Sequence, residues 1–366
     1  MVIYNTPSRS SIWGSTACLV WLFSSSTTAA PLIQNLSGTV THNNTITLTG
    51  TGFGSNALDL EWTGDAIEAG ALGNNFSKSG WNNNWGWENA KYATDQRHSN
   101  SKSLKCVPLP ATSWNCAFSY KLPNPVTTGQ TLYMTWWVRK DSASNTGQWK
   151  MLRLSGNETI MDGSQQMTLF NWPGSQYQLV VDPGTSNDQS FWLPSNVFPN
   201  GDNSWYRMEL MLKASGTGQT NGSATVSRYD GSAFNTYSTS LKTHTSSGST
   251  YSYVIFQNYE GNGMSSSALW FDDILIQKGS PARIEICNRS TWSSRNHCEV
   301  QVPTAWSTGS ISFSTKLGAF GIGQTAYLYV IDSGGAVSSS FPITIGSTSG
   351  GTSTLGSPNN LRLINQ

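Results

Sequence analysis

The residues best suited to chemistry in this sequence sit at alternate positions of four apolar segments. In "WYRMELMLK", Met208, Leu210 and Leu212 form one set, so Arg207, Glu209 and Lys213 point the other way. In "YMTWWVRKD", Met134, Trp136 and Val138 share one face, and Tyr133, Thr135, Trp137 and Arg139 share the other. Strict alternation in "WKMLRL" puts Lys150, Leu152 and Leu154 on one face and Met151 and Arg153 on the other. In "YVIFQNYEG", Val254 and Phe256 are internal, leaving Tyr253, Ile255, Gln257 and Tyr259 outside. Aromatic rings beside planar hydrogen-bonding groups suit a sugar chain: ring faces stack on C–H surfaces while Arg, Glu and Gln bond hydroxyls or carboxylates. Tyr259 as base, with Gln257, Arg139 and Arg153 neutralising a carboxylate, would also supply the residue types for eliminating a uronate.

Other chemistries find little support. There is no Gly-x-Ser-x-Gly elbow, and the four histidines, His42, His98, His244 and His297, lie in no triad context. In "WFDDILI" the adjacent Asp272 and Asp273 would leave a regular strand on opposite faces, so they are not the facing pair that glycoside hydrolysis needs. Glu61, Asp65 and Asp273 are candidates for a structural calcium site of oxygen ligands. No cofactor is required by any motif. The loop "SGWNNNWGWENAKY" carries Trp81, Trp85, Trp87 and Tyr92, and reads either as a sugar platform or as a lid that buries its own rings.

The elements that must position these residues are strands. Charged residues make up only 11% of the 366, against 35 Gly and 16 Trp, which with abundant Ser, Thr and Asn points to an all-β extracellular protein. A net charge of +1 gives no electrostatic footprint for nucleic acid. Residues 1–30 read as an export signal, with Arg9, an apolar stretch from Ile12 to Phe23, and small residues up to Ala30. After its removal nothing is apolar for long enough to span a bilayer. The signal takes Cys18 with it, leaving Cys106, Cys116, Cys287 and Cys298, for which the local pairing 106 with 116 and 287 with 298 is expected.

Two resemblances organise the chain. "PLIQNLSG...NTITLTGTGFGSNA" resembles the opening of an IPT/TIG domain, an Ig-like sandwich, and "ARIEIC...CEVQVPTAWSTGSISFST...AYLYVIDSGGAVSSSFPITIG" resembles the rest of it. The implied organisation is an IPT/TIG-like first part at 31–57, an insertion at 58–281, a second part at 282–346 and a flexible tail at 347–366. The insertion, through "YMTWWVRKD", "WKMLRL", "WYRMELMLK", "VSRYDG" and "WFDDILI", resembles the concanavalin A-like jelly roll of legume-type lectins, laminin G-like modules, glucanases and polysaccharide lyases.

That resemblance implies that Trp137, Arg139, Arg153, Arg207, Glu209, Gln257 and Tyr259 line one concave groove, with Trp85 and Trp87 near its edge. The Glu-x-Asp-x-Glu strand of related glucanases is absent. So are the Arg-Thr-Glu-Leu-Arg, Gln-Ile-His and Tyr-Phe-Lys signatures of the alginate-lyase jelly roll. The expected function is therefore that of a secreted or cell-surface, lectin-like protein binding an extracellular polysaccharide. A β-eliminating lyase is the alternative, and a self-associating structural subunit of a matrix or appendage is a third reading.

Overall fold

The computed structural model describes residues 29–347 except 83–87, 110–114, 142–147, 157–165, 173–175, 183–188, 200, 230, 245–249 and 262–266. Trp85 and Trp87, nearly all of the expected export signal and the tail beyond 347 lie outside the described residues.

The chain opens with β1 (Leu32–Ser37) and β2 (Thr45–Thr51), whose Ile33, Leu36, Ile46 and Leu48 are buried. A second series begins with β3 (Leu60–Trp62), the short helix α1 (Gly64–Ala69), β4 (Trp81–Asn82), β5 (Lys91–Ala93), β6 (Ser103–Cys106), β7 (Asn115–Val126), β8 (Thr131–Lys140) and β9 (Gln148–Ser155). It continues through β10 (Gln166–Trp172), β11 (Gln176–Asp182), β12 (Gln189–Leu193), β13 (Trp205–Lys213), β14 (Gly222–Tyr229), β15 (Phe234–Leu241), β16 (Tyr251–Gly261) and β17 (Leu269–Lys278). The last strands are β18 (Arg283–Cys287), β19 (Cys298–Trp306), β20 (Ser310–Ser314), β21 (Thr325–Ile331) and β22 (Phe341–Thr344).

The protein is all-β, and its second series is an antiparallel sandwich of the jelly-roll class. One sheet runs β12-β11-β10-β9-β16-β7-β4; the other runs β15-β14-β13-β8-β17-β6-β5, with β3 paired to β17. Leu132, Met134, Trp136 and Val138 of β8 meet Val254 and Phe256 of β16 in one core, as their alternation dictates. Burying each such side chain contributes roughly 1.5–3 kcal/mol. Cys106–Cys116 staples β6 in one sheet to β7 in the other, and Cys287–Cys298 joins β18 to β19, the expected pairing in both cases. By the chain-entropy relation, loops this short contribute about 2–3 kcal/mol each.

The first two strands and the last five share a separate order, β1-β2-β20-β19-β18-β21-β22, around a core of their own that includes Phe53, Ile284, Ile311, Leu328 and Ile343. Where the chain leaves this unit and returns to it, buried Asn56 donates to Ala282 O at 3.0 Å and to Gln277 Oε1 at 3.2 Å. The two crossing points are thus tied to each other.

The outer face of the β13-β8-β17 sheet is buried against β18 and β19. Tyr133, Leu275 and Val300 form a small apolar cluster there. Beside it the buried Arg207 uses every edge of its guanidinium. Nε donates to Thr135 Oγ1 at 3.0 Å, Nη1 to Cys298 O at 3.0 Å and Glu285 Oε2 at 3.2 Å, and Nη2 to Glu209 Oε1 at 2.7 Å and Glu285 Oε1 at 3.2 Å. Arg283 Nε adds a 2.5 Å bond to Glu285. Burial alone would push the Glu285 carboxyl up, but the Arg207 and Arg283 guanidiniums more than offset this and hold it at about 2.

Removing one partner of a buried pair strands the other charge, so Arg207→Leu is expected to cost about 3–5 kcal/mol in urea unfolding at pH 7. Because the Glu285 pKa is depressed in the fold, the contribution of this network is fully present above about 4.5, the ordinary value, and is lost as pH falls through about 2. The gap between wild type and variant should therefore close in acid.

Candidate functional site

Alternation put most of these side chains on the right face but carried no sign of which sheet each face belongs to, and the expected single groove is divided. Trp137, Arg139, Arg207 and Glu209 lie on β8 and β13, on the sheet that packs against β18 and β19. There Trp137 Nε1 donates to Glu299 Oε2 at 3.3 Å, Arg207 and Glu209 belong to the junction network, and Arg139 lies 6.0 Å from the ring centre of Trp270. Arg153, Gln257 and Tyr259 lie on the opposite sheet, facing away from the core.

That second face has an order readable from strand register. Trp192, Gln178, Phe170, Lys150, Tyr259 and Asn115 are successive cross-strand partners from β12 to β7. The neighbouring row is Ser190, Val180, Thr168, Arg153, Ile255 and Ser119. At about 4.8 Å per strand, each row runs roughly 24 Å across the sheet, a length suited to an extended polymer. Trp192 at one end is 57% exposed, whereas Arg153, Thr168, Gln178 and Gln257 at the centre are buried. Gln257 Nε2 is buried with no acceptor among the described residues.

Lys150 was missed as a site residue because a bulge interrupts β9. Leu152 pairs with Leu169 and Phe256, but the next pairs are Lys150 with Phe170 and with Tyr259, so Met151 is an extra residue. Met151 and Leu152 both enter the core, and the phase reverses, which puts Lys150 outside with Arg153 rather than inside with Leu152 and Leu154. Its Nζ lies 4.7 Å from the ring centre of Tyr259. Burial, reinforced by the nearby Arg153 charge, brings the Lys150 pKa down to about 8. A strict period-of-two reading carries no signal for such a bulge.

The proposed calcium ligands are separated. Glu61 accepts from Trp81 Nε1 at 2.6 Å and pairs with Lys78, while Asp65 Oδ1 is 2.7 Å from Lys316 Nζ. Asp273 instead faces His98 and Glu299. The reading of Asp272 and Asp273 as opposed is overturned by a second bulge. Trp137 pairs with Asp272 and Thr135 with Leu275, so Asp273 is the extra residue, at φ 45°, while Phe271, Ile274 and Ile276 remain in the core. Two cavities lie away from the β9-β16 face. One of about 390 Å³ is bordered by Tyr92, Asp95 and Lys105, and one of about 270 Å³ at the junction is bordered by Glu209, Trp292 and Arg295.

No protein-family model matches the chain, and no curated protein matches it. Among solved structures, it is similar to a marine PL-14 alginate lyase from Aplysia kurodai, at 12% identity and TM-score 0.41, over 51% of this chain and 86% of that one. An alginate lyase from Chlorella virus gives 12% identity and TM-score 0.38, over 53% and 93%. A botulinum neurotoxin serotype C1 binding domain gives 10% identity and TM-score 0.34, over 66% of each chain. Likenesses at this level leave the function to be argued from this chain's own residues.

The lowered pKa of Lys150 has a defined consequence for stability. Below about 8 the folded state must hold a poorly solvated ammonium, and this cost is relieved as pH rises from about 8 towards 10.5, the ordinary value. Lys150→Met is therefore expected to unfold at a higher temperature than wild type at pH 7, with the advantage shrinking to nothing by about pH 10.5. Thermal unfolding across that range checks it.

Proposed function

We propose that the protein binds an acidic polysaccharide along the rows that cross the β12-β11-β10-β9-β16-β7 face. The observation that carries this reading is the cationic pair Lys150 and Arg153 at the centre of two neighbouring rows, the Lys150 row passing through Tyr259 and ending on the exposed Trp192. Arg153 meets a carboxylate with its planar fork, Gln257 and Gln178 bond hydroxyls, and Tyr259 and Trp192 offer faces to the C–H surfaces of sugar rings. The two disulfides support an oxidising compartment and hence a secreted or cell-surface location.

The strand order supports a further reading, that 31–57 and 282–346 form an IPT/TIG-like host into which residues 58–281 are inserted. With entry and exit tied together at Asn56 and Ala282, such an insertion costs the host little and orients the sandwich firmly.

A second reading is favoured by Lys150 itself. A general base works best with a pKa near the operating pH, and an amine brought down to about 8 meets that condition. In β-elimination, the neutral Lys150 amine takes the C5 proton of a uronate whose carboxylate is met by Arg153 and Gln257. The C4–O4 bond then breaks, and the Tyr259 hydroxyl passes its proton to the departing oxygen. Arg139, on the other sheet, has no part in this.

The test follows retention and unsaturated-uronate absorbance together, over a panel of acidic and neutral polysaccharides. Acidic chains should be retained, less so at high salt. Arg153→Ala and Trp192→Ala should each weaken retention about tenfold, a loss of about 1.4 kcal/mol. Rising absorbance that Lys150→Met and Tyr259→Phe abolish would establish elimination. Retention with flat absorbance would leave a binding protein, and no retention of any acidic chain would overturn the proposal.

A further inference from the structure

We propose that His98, Asp273 and Glu299 bind one divalent transition-metal ion, best matched by Zn2+, which clamps the jelly-roll sheet to β19. One ligand atom from each of the three residues lies within 4.8 Å of the other two. His98 Nε2 and Glu299 Oε1 are already 2.9 Å apart. In a tetrahedral zinc site with bonds of about 2.0–2.1 Å, ligand atoms stand roughly 3.3 Å from one another, so only small side-chain adjustments separate this arrangement from a bound one. One imidazole with two carboxylates is a nitrogen and oxygen set suited to zinc, and less to calcium, which takes oxygen alone.

The groups around the three ligands hold them in place. The indole of Trp137 stacks on the His98 ring at 3.5 Å and 14°, and its Nε1 donates to Glu299 Oε2, leaving Oε1 turned towards His98. The Asp272 carboxylate accepts from His98 N at 3.0 Å and Ser99 N at 3.2 Å, fixing the segment that carries the imidazole. Such outer contacts orient metal ligands and set their affinity.

Asp273 reaches the cluster only because the β17 bulge puts it at φ 45°, an unfavourable angle for a residue with a side chain. Charge argues in the same direction. Three buried carboxylates, Asp272, Asp273 and Glu299, crowd this spot, and the side chains facing Glu299 Oε1 are the imidazoles of His98 and His297, each with Nε2 at 2.9 Å. A divalent cation would relieve that crowding, with water or His297 completing its coordination. Because Glu299 stands on β19 and the other two ligands on the sandwich side, the ion would join the two parts of the chain.

The experiment uses untagged protein treated with a chelator and dialysed, then titrated with Zn2+ alone by calorimetry, with metal content measured after desalting. One Zn2+ per chain is expected, together with a rise in unfolding temperature. His98→Gln and Asp273→Asn should each weaken binding at least tenfold while the far-ultraviolet dichroism stays that of wild type. Should those variants fail to fold, Co2+ added to the wild type decides: a visible d–d band displaced by stoichiometric Zn2+ supports the site, and no band overturns it. Failure of the folded wild type to bind Zn2+, or unchanged affinity in His98→Gln, also overturns the proposal.

Discussion

A guanidinium buried in the middle of a protein must have all its donors satisfied, and Arg207 achieves this only with groups from four strands. Thr135 is on β8, Glu209 on β13, Glu285 on β18, and the Cys298 carbonyl on β19. The requirement is strict because the cost of an unpaired buried charge exceeds the net gain from any one of these bonds. The sandwich and the strands at the two ends of the sequence therefore cannot separate without exposing this network. That constraint commits the β13-β8-β17 face to holding the molecule together, and the ligand site proposed above accordingly falls on the β9-β16 face.

Two bulges do most to place the unusual side chains. In β9 the extra Met151 reverses the alternation, filling the core with two consecutive apolar residues and turning Lys150 outward. In β17 the extra Asp273 lets two adjacent acids serve one face while Phe271, Ile274 and Ile276 stay inside. Each bulge accommodates one irregular position while the core on both sides of it stays in phase, which is why an added residue bends a strand rather than abolishing it.

The all-β class, the disulfide pairing and the assignment of most side chains to inner or outer faces were legible in the sequence, because each depends on local pattern. Met134, Trp136 and Val138 inside, with Trp137 and Arg139 outside, needed only a period of two. The sheet to which an outward face belongs is set by pairings between strands far apart in the chain. Arg207 and Arg153 therefore looked equivalent, although one meets Glu285 and the other lies beside Ile255. Glu299 and His98 could not be connected from sequence either, since 201 residues separate them and neither sits in a spacing motif. Lys150 was misplaced for a different reason: nothing in "WKMLRL" distinguishes a regular strand from one carrying a bulge.

The position of Lys150 also bears on what kind of protein this is. A partly buried ammonium beside Arg153 opposes folding at neutral pH, as its lowered pKa shows, and the Tyr259 ring 4.7 Å away offsets this only in part. A methionine or glutamine would fill the same volume without that cost. The fold alone therefore gives no reason for a lysine at this point of the face. An acidic ligand does: its carboxylate would replace the missing solvation and turn an unfavourable pair of cations into a binding centre. A destabilising lysine close to the buried Gln257 Nε2, which has no acceptor among the described residues, is the pattern expected of the proposed site, one fitted to a partner rather than to the chain itself.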